Sequence, residues 1–405
     1  MRIVILGGSG SATPEFADAL VDWPGGIERR PPLEIVLHAR SGDRLALVAT
    51  EMRRRLRGAS GAEVQVTAET DAQVALRGAD VVLNAVRIGG LTARIFDESF
   101  PQRHGLPGEE TMGPGGLANA LRTVPAVRQL WSEVARLAPA ALAINLTNPS
   151  GIVVAATERA SSLPVISVCD SPVVFCERIA ERLGQPAEDV RRRYQGMNHM
   201  GWWTPSDTAE LEATLDLATG QEAAAVRVQG AVGAPYVRYY VHPARILAAQ
   251  LEAGETRAQQ LQRLEAELLS GYAHGVTELP RRGAVWYGKA VLPLIDAWIN
   301  GSPSVLILGL RNDGRIPGLP DEVITEGPVR IPQPGRLEPV ATPPLPPLPA
   351  AMLAQHAAFE ALAATATLPG ATRDDRVRAM MANPMVRSYD LAVSLVDDIA
   401  AGSPG

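Results

Sequence analysis

The sequence predicts an α/β fold in which a Rossmann-like parallel sheet domain is followed by a second, mixed and helix-rich α+β domain. Short apolar runs alternate with helical stretches over the first 150 residues, and a glycine-rich turn follows the first of these runs. From about residue 170 onward helical patterns dominate. Such alternation is typical of a doubly wound parallel sheet. We therefore expect a dinucleotide-binding domain over residues 1–170 and a substrate, metal and oligomerisation domain over residues 171–405.

The expected strands of the first domain are short apolar runs bounded by polar or glycine-containing segments. They cover residues 2–6, 34–37, 63–67, 81–85, 142–146 and 165–168. Helical patterns follow the first two runs, at residues 15–21 and 44–57. A parallel sheet requires crossover segments of this kind, because a tight turn cannot join two parallel strands.

The second domain contains longer helical patterns and one strongly apolar β run. Helices are expected at residues 173–183, 243–269 and 357–364, and a strand at residues 305–310 is followed by a turn signal, Asn-Asp-Gly. The proline-rich stretch 343–349 predicts a stiff extended connector.

Composition and charge exclude several classes of protein. Hydrophobic residues make up 46% of the 405 residues and charged residues 20%, which is typical of a soluble globular protein with a large core. The net charge of −6 gives no basic face for nucleic acid and no Lys/Arg run is long enough to offset it, so no nucleic-acid partner is predicted. No window approaches the ~18 apolar residues that cross a membrane, and the first apolar run is too short for a signal peptide. Two cysteines are too few for a disulfide scaffold, so we expect a cytoplasmic protein.

A glycine-rich turn directly after the first strand is the candidate dinucleotide site. Its residues are Gly7, Gly8, Ser9, Gly10 and Ser11. Small residues let the backbone turn sharply and approach a pyrophosphate, which the following helix N-terminus also attracts. The spacing is not a regular GxGxxG, so an ordinary tight turn is the alternative; the position after the first strand of a βαβ unit favours the dinucleotide.

The end of the second strand predicts which nicotinamide dinucleotide is bound. An acid would accept a hydrogen bond from the ribose 2′-hydroxyl, whereas Arg would bind a 2′-phosphate. Here the segment carries Arg40, Ser41 and Arg44 and no acid at the expected place. The cofactor is therefore expected to be NAD(P), with these residues favouring NADP; the alternative is a solvated loop with ordinary surface arginines.

Four further segments rich in polar residues, glycine and proline follow apolar runs. They are residues 87–116, 145–150, 167–172 and 196–203. Ligands of open α/β sheets bind at the carboxyl ends of the strands, so these segments are candidates for a substrate site. Cys169 and His199 in the last two segments are residue types that bind metals. Their separation fits no known zinc finger, and taken alone such residues are more often ordinary core or surface residues.

The ordered series of these motifs resembles glycoside hydrolase family 4, the NAD- and divalent-metal-dependent glycosidases that include 6-phospho-α- and 6-phospho-β-glucosidases. The series runs from residue 3 to about residue 315. It comprises the glycine-rich turn, Arg-x-Gly-Gly, Gly-Glu-Glu-Thr-x-Gly-Pro-Gly-Gly, Thr-Asn-Pro, Cys-Asp-x-Pro, Asn-His and Tyr-x-x-Tyr-Tyr.

The resemblance implies a metal centre and a catalytic base. In the family a cysteine and a histidine hold a Mn²⁺-type ion, and these correspond to Cys169 and His199. The family's tyrosine base corresponds to Tyr236, and the acid that tunes this tyrosine corresponds to Glu110. From the residues alone, the tyrosines at 236, 239 and 240 could equally form an aromatic core at helical spacing.

The resemblance also implies an acid and a substrate-binding set. Asp170 is similar to the general acid of the α-acting branch, although it could also serve as N-cap of the helix at 173–183. Substrate-binding positions of the family correspond to Arg94, Asn148 and Arg257. The implied substrate is a small sugar glycoside, with a 6-phosphate expected, and the implied assembly is a homodimer or homotetramer.

The chemistry implied by the resemblance explains why these residue types occur together. Oxidation at C3 of the sugar by the nicotinamide acidifies the proton at C2, a base removes that proton, the aglycone is eliminated, water adds, and the hydride returns. Two alternatives stay open from the sequence: an NAD(P)-dependent sugar or 2-hydroxyacid dehydrogenase, which would accumulate NAD(P)H, and a non-catalytic sugar or dinucleotide sensor.

Overall fold

The structure is a computed structural model that describes residues 1–23, 32–57, 64–158 and 163–402. Within these ranges the strands join into one twelve-stranded sheet. In chain order they are β1 (Arg2–Leu6), β2 (Leu33–His38), β3 (Val64–Glu69), β4 (Val81–Asn84), β5 (Leu142–Asn145), β6 (Val165–Ser167), β7 (Tyr194–Met197), β8 (Met200–Trp203), β9 (Val232–Gly233), β10 (Ser302–Arg311), β11 (Ile324–Gln333) and β12 (Arg336–Pro339).

The first half of the sheet is parallel and has the strand order β3-β2-β1-β4-β5-β6. The predicted Rossmann-like sheet is therefore confirmed, and the order reverses between β1 and β4, which is where such sheets bind ligands. Beyond β6 the sheet continues in antiparallel fashion through β10, β11, β7, β8 and β9, with β12 beside β11. One sheet thus crosses the predicted boundary at residue 170, and the division into two domains there stays a prediction.

Between the strands and after the last of them, the described chain forms helices. They are α1 (Glu15–Val21), α2 (Gly42–Leu56), α3 (Ala72–Leu76), α4 (Gly90–Ser99), α5 (Gly113–Leu137), α6 (Ser150–Glu158), α7 (Asp170–Leu183), α8 (Ala187–Arg191), α9 (Thr208–Thr214), α10 (Ala223–Gln229), α11 (Arg238–Val241), α12 (Pro243–Ala253), α13 (Arg257–His274), α14 (Leu292–Asn300), α15 (Pro347–Ala366), α16 (Arg373–Ala382) and α17 (Tyr389–Gly402). A π-helical turn, Tyr287–Val291, precedes α14. None of these helices combines the length and apolar character that crossing a bilayer requires.

Alternate residues of β1 belong to two different hydrophobic cores. Ile3 and Ile5 pack with α1, α2 and α14, whereas Val4 and Leu6 pack with α5, α6 and α15. Because strand side chains alternate between faces, a strand buried on both sides must be apolar at every position. This explains why the first strands appear in the sequence as continuous apolar runs.

The predicted single helix at residues 243–269 is wrong, because the chain forms α12 and α13 with a break between them. Gly254 ends α12 with a φ of +65°, a conformation that glycine adopts without steric cost. Thr256 and Gln259 then form a reciprocal capping box that starts α13. Arg257 consequently lies at the first position of α13 rather than in the middle of a helix.

Two further helix boundaries differ from the predictions. Helix α7 begins at Asp170, and Cys169, with an extended backbone, occupies its N-cap position, so Asp170 does not cap a helix that begins at 173. Pro172 is compatible with this first turn because it needs no free N–H there. The extended connector predicted for residues 343–349 ends earlier, at Pro346. Helix α15 begins at Pro347, because prolines are tolerated in the first turn of a helix. The predicted strand 63–67 is present from residue 64; residue 63 lies outside the described residues.

Glu15, the first residue of α1, binds the segment that leads into α14. Its two carboxylate oxygens accept hydrogen bonds from the backbone N–H groups of Arg282 and Ala284, each at 2.6 Å. The ring of Phe16 packs edge-on against Tyr287, with centroids 5.2 Å apart. A segment remote in sequence is thereby held against the turn that precedes α1.

Removing the Glu15 carboxylate should destabilise the protein. Glu15→Ala leaves the buried N–H of Ala284 and the partly buried N–H of Arg282 without acceptors, which should cost roughly 2–4 kcal/mol of unfolding free energy. The measurement is urea or thermal unfolding followed by circular dichroism. Glu212→Ala is the control, because Glu212 forms an exposed ion pair with Arg227. Equal stability of the two variants would contradict the importance of this contact.

Candidate active site

The carboxyl ends of β1, β4, β5 and β6 meet at one edge of the sheet and are joined by side-chain hydrogen bonds. Asn84 at the end of β4 donates to the side chain of Asn145 at the end of β5, at 2.8 Å. Ser150 follows β5 and Ser167 ends β6, and their hydroxyl oxygens are 2.6 Å apart, so a hydrogen bond also links these two strand ends. The polar segments that follow these strands therefore lie side by side along one edge of the sheet.

The glycine-rich turn lies at the reversal point of the strand order. The backbone N–H groups of Gly7 and Gly8 both donate to the carbonyl of His38, at 3.0 and 2.9 Å, which ties the turn to the end of β2. Gly7 has a φ of +82°, and a Cβ added there would lie 2.6 Å from the carbonyl oxygen of Ala85. Only glycine fits this close approach, and the resulting open turn suits the pyrophosphate of a dinucleotide.

The predicted ribose-binding residues fall into two groups. Arg40 and Ser41 are exposed at the end of β2, and the Arg40 side chain makes no hydrogen bond or ion pair within the described part of the chain. Arg44, in contrast, donates to the carbonyl of Ser9 at 2.8 Å and pairs with Glu265 of α13 at 2.6 Å. Arg44 therefore fastens the glycine-rich turn to α13, a contact that the sequence did not reveal.

Glu110 is buried and shared by two arginines. Arg94 lies 2.8 Å from one carboxylate oxygen, and Arg87 binds the other. Burial opposes ionisation of Glu110, but the charges of Arg87 and Arg94 outweigh it and hold its pKa at about 2. Arg94 also donates to Glu98 at 2.6 Å, so its guanidinium is engaged by two acids. Glu110 therefore stays ionised at neutral pH.

Glu109 is a buried acid of opposite character that the sequence did not single out. One of its oxygens accepts hydrogen bonds from the N–H groups of Thr111 and Met112, at 2.6 and 2.8 Å. Burial and the adjacent Glu110 nevertheless raise the pKa of Glu109 to about 7. After burial, Glu109 has a larger effect on the pKa of Tyr236 than Glu110 has, and both raise it. In the sequence, the only sign of this influence of Glu109 on Tyr236 was its position next to Glu110.

Asn119 of α5 connects two of the predicted segments. Its amide donates to the carbonyl of Glu110 at 3.0 Å and to the carbonyl of Asn148 at 3.1 Å. The start of α13 joins the same network, because the N–H of Ala258 donates to Glu98 at 2.7 Å. This contact brings Arg257 into the neighbourhood of Arg94.

The turn that carries His199 lies beside Cys169, because its other residue, Asn198, interacts with the cysteine. His199 and Asn198 form the turn between β7 and β8, and His199 has a φ of +62°. The Asn198 side chain hydrogen-bonds Cys169 and donates to Glu326 of β11 at 2.9 Å. Burial, with Glu326 and Asp170, raises the pKa of the Cys169 thiol well above its usual range.

Tyr236 packs directly on the candidate metal ligand. Its ring is parallel to that of His199, with centroids 3.8 Å apart and an interplanar angle of 1°, and it also stacks on Tyr239. The short 3₁₀ turn Pro235–Val237 before α11 holds it there. Burial and then Glu109 raise the pKa of Tyr236 above its ordinary value. Tyr236, Tyr239 and Tyr240 thus pack together, as the alternative of an aromatic core predicts. Tyr236 nevertheless also contacts His199.

The residues at this site fit a divalent metal ion. Burial lowers the pKa of His199 to about 4, so its ring is neutral near pH 7, as a metal ligand must be. Nδ1 of His199 is buried without a hydrogen-bond partner in the described structure. A cation would also compensate the thiolate of Cys169. The described residues contain no group of three His, Cys, Asp or Glu side chains arranged for a metal.

Comparison with known sequences matches both halves of the chain to one family. Residues 2–185 match the model described as "Family 4 glycosyl hydrolase", and residues 194–386 match the model described as "Family 4 glycosyl hydrolase C-terminal domain". The two matches together span most of the chain and include every predicted site residue.

Curated relatives and solved structures agree with this match. The "Probable 6-phospho-beta-glucosidase" of Bacillus subtilis strain 168 is 29% identical over 98% of this chain and 95% of its own length. The phospho-alpha-glucosidase PagL of Clostridium acetobutylicum is 26% identical over 100% and 98%. The structure of the 6-phospho-beta glucosidase from Thermotoga maritima with manganese, NAD+ and glucose-6-phosphate has a TM-score of 0.86, 26% identity, and coverage of 99% and 98%.

Removing the Cys169 sulfur should abolish tight metal binding. A serine hydroxyl is a poor ligand for a Mn²⁺-type ion, so Cys169→Ser should bind Mn²⁺ at least roughly tenfold more weakly, and a chelator should strip the metal from the wild-type protein. The measurement is titration calorimetry of the purified protein with MnCl₂.

The other cysteine provides the matched control. Cys176 is buried on α7, and its pKa is raised by burial in the apolar core. Cys176→Ala should therefore bind Mn²⁺ as the wild type does. Unchanged affinity in Cys169→Ser would remove Cys169 from the metal site.

Proposed function

We propose that this chain, which belongs to family 4 of the glycosyl hydrolases and is therefore a glycosidase, hydrolyses 6-phosphorylated glycosides. The observation that carries the proposal is the stacking of Tyr236 on His199 at 3.8 Å, beside Cys169 and at the edge that bears the glycine-rich turn. The similar proteins from Bacillus, Clostridium and Thermotoga are named as phosphoglucosidases, which supports the phosphorylated substrate class.

Two cofactors fit the residues present. A nicotinamide dinucleotide would lie on the turn of Gly7, Gly8, Ser9, Gly10 and Ser11, and a Mn²⁺-type ion would be held by Cys169 and His199. When bound, the dinucleotide supplies a reversible hydride acceptor and the ion supplies a Lewis acid.

Tyr236 is the proposed base that removes the proton from C2 of the sugar. Its ring orientation is fixed by contact with His199 and Tyr239. Burial and Glu109 keep its pKa high, so the phenol needs nearby positive charge to act as a base near neutrality. Glu109, with a pKa of about 7, can lose its negative charge near neutrality and thereby relieve part of this effect.

Asp170 and the Glu110 network supply the other proposed roles. Asp170 is the proposed general acid for the leaving group, and burial raises its pKa, as such a role requires. Glu110 is the proposed acid that influences Tyr236, and its two arginine contacts keep it ionised. Arg94 and Asn148 are the proposed substrate contacts beside it.

Asp170 directly follows the proposed metal ligand Cys169, and an acid at this position favours an α-glycoside as the substrate. Because relatives named for either anomer have comparable identity, this is a proposal from one residue. A homodimer or homotetramer and a cytoplasmic location stay predictions that follow from the sequence.

Arg40 should determine the choice between NADP and NAD. We propose that it binds the 2′-phosphate, since it is exposed beside the turn while Arg44 is engaged by Glu265. Arg40→Asp should shift the ratio of NADP to NAD affinity about tenfold or more toward NAD, because a charge-assisted hydrogen bond is replaced by repulsion. Calorimetric titration with each dinucleotide measures this ratio.

The control is Arg77→Asp, which makes the same charge change at an exposed position after α3. That variant should keep the wild-type ratio. A wild type that clearly prefers NAD, with a preference that Arg40→Asp leaves unchanged, would show that this loop does not distinguish the two dinucleotides.

Tyr236→Phe tests the proposed function. With Mn²⁺ and cofactor, the wild type should hydrolyse aryl glucosides that carry a 6-phosphate, and an α/β pair of such substrates identifies the anomer. Tyr236→Phe keeps the ring and its stacking but lacks the proton acceptor, so turnover should fall roughly 10²–10⁴-fold with cofactor binding unchanged. The readout is release of the aryl group.

Tyr239→Phe is the matched control, because Tyr239 stacks on Tyr236 and not on His199. It should retain near-normal turnover. A Tyr236→Phe enzyme that retains normal turnover would refute the proposed base. Net accumulation of NAD(P)H without aryl release would instead indicate a dehydrogenase.

A further inference from the structure

Helix α15 packs against the chain on the C-terminal side of the proposed base. Tyr236 lies in the short 3₁₀ turn before α11. The next residue, Val237, is fully buried and belongs to the same hydrophobic cluster as Leu353 and Ala357 of α15. Tyr240, on α11, packs against this cluster as well. The turn that carries Tyr236 is therefore followed by two residues of the apolar cluster that α15 helps to form.

A polar contact between α11 and α15 lies beside this cluster. The hydroxyl oxygen of Tyr240 is 3.2 Å from Nδ1 of His356, and the two rings meet edge to face, with centroids 5.6 Å apart. Burial, and then the charge of Glu360, raises the pKa of Tyr240 well above its usual range. The phenol therefore stays protonated and can donate to the imidazole.

The other ring nitrogen of His356 faces an acid on the same helix. Nε2 lies 3.2 Å from Oε1 of Glu360, four residues further along α15, and both side chains are buried. The approach is close but lacks the alignment of a hydrogen bond, since Nε2 has no hydrogen-bond partner in the described structure. This placement favours the ring tautomer with its proton on Nε2, which leaves Nδ1 as the acceptor for Tyr240.

The carboxylate of Glu360 lies against the first turn of α6. A Cβ added at Gly151 would be 2.1 Å from Oε2 of Glu360, so the absence of a side chain at Gly151 leaves the room that this carboxylate occupies. The N–H groups in the first turn of a helix lack intrahelical partners and favour a nearby negative charge. Helix α6 begins two residues after Asn148. Tyr240, His356 and Glu360 thus join α11 to the start of α6.

The position of Tyr236 is more demanding than apolar packing alone would ensure. Its ring stacks on His199 with centroids 3.8 Å apart. Proton transfer requires the base within hydrogen-bond reach of the proton, and a displacement of about 1 Å can lower a rate by roughly 10²-fold. Apolar contacts tolerate such shifts, whereas a buried polar contact restricts the packing to the arrangement that satisfies it.

We propose that His356 is a positioning residue for the base: through the hydroxyl of Tyr240 it fixes the turn that holds Tyr236 over His199. Glu360 orients the imidazole in this arrangement. The assignment rests on the proposed function, because that function gives Tyr236 the task of removing the C2 proton.

The test measures hydrolysis of a 6-phosphorylated aryl glucoside with Mn²⁺ and NAD+ present. His356→Phe keeps a ring in the core and removes the acceptor, so kcat should fall roughly 10–10²-fold, with KM and the Kd for NAD+ changed less than threefold. His356→Asn, whose amide oxygen can replace Nδ1 as acceptor, should recover part of the loss. His274→Phe is the matched control, because it makes the same change at an exposed histidine of α13 and should keep wild-type kcat.

Tyr240→Phe and the double variant test whether the effect passes through this contact. Tyr240→Phe should lower kcat about as much as His356→Phe does, and combining the two should lower it no further, since both remove the same hydrogen bond. Independent losses that multiply in the double variant would overturn the assignment. So would wild-type kcat in His356→Phe, or an equal fall in NAD+ affinity, which would indicate a general structural role.

Hydrogen exchange separates this inference from the proposed function. In His356→Phe, amide exchange measured by mass spectrometry should accelerate in residues 235–241 and stay at the wild-type rate in the glycine-rich turn. Unchanged exchange in residues 235–241 would overturn the assignment. A wild type that hydrolyses no 6-phosphoglycoside would refute the proposed function, while accelerated exchange confined to this segment would still show that His356 holds the Tyr236 turn in place.

Discussion

The Glu110 carboxylate, buried between Arg87 and Arg94, is the interaction on which the arrangement of the cleft depends. Through Arg94 it reaches Glu98, and through Glu98 it reaches the first turn of α13. One carboxylate thus links the loop after β4, helix α4, the segment before α5 and a helix more than a hundred residues later. Without Glu110, the buried Arg94 would keep only Glu98 as an acidic partner, and a buried charge that loses part of its compensation is unfavourable.

The two proposed metal ligands, Cys169 and His199, are positioned differently. A neutral neighbour, Asn198, and an acidic one, Glu326, hold them in place. Asn198 hydrogen-bonds Cys169 and is itself held by Glu326, so the turn that carries His199 is positioned by contacts outside the ligand pair. Such supporting contacts fix the orientation of metal ligands as firmly as the ligands' own backbones do.

Contacts between remote segments also connect the dinucleotide turn to the substrate side. Arg44 holds the turn to Glu265 of α13, and the first residue of that helix is Arg257. Glu15 holds the segment of Arg282. Side-chain contacts therefore join the glycine-rich turn, α13 and the segment before α14.

The sequence by itself determined the parallel sheet, the glycine-rich turn and the family, because these depend on local periodicity and on ordered motifs. It did not reveal that α12 ends at Gly254, because the helical pattern continues on both sides of the short break that Gly254 and the Thr256 capping box form. It also could not distinguish Glu109 from Glu110, which are adjacent in the chain but have pKa values of about 7 and about 2. Only the tertiary structure decided this difference, because the arginines that stabilise a buried charge come from other segments and form ion pairs with Glu110 but not with Glu109.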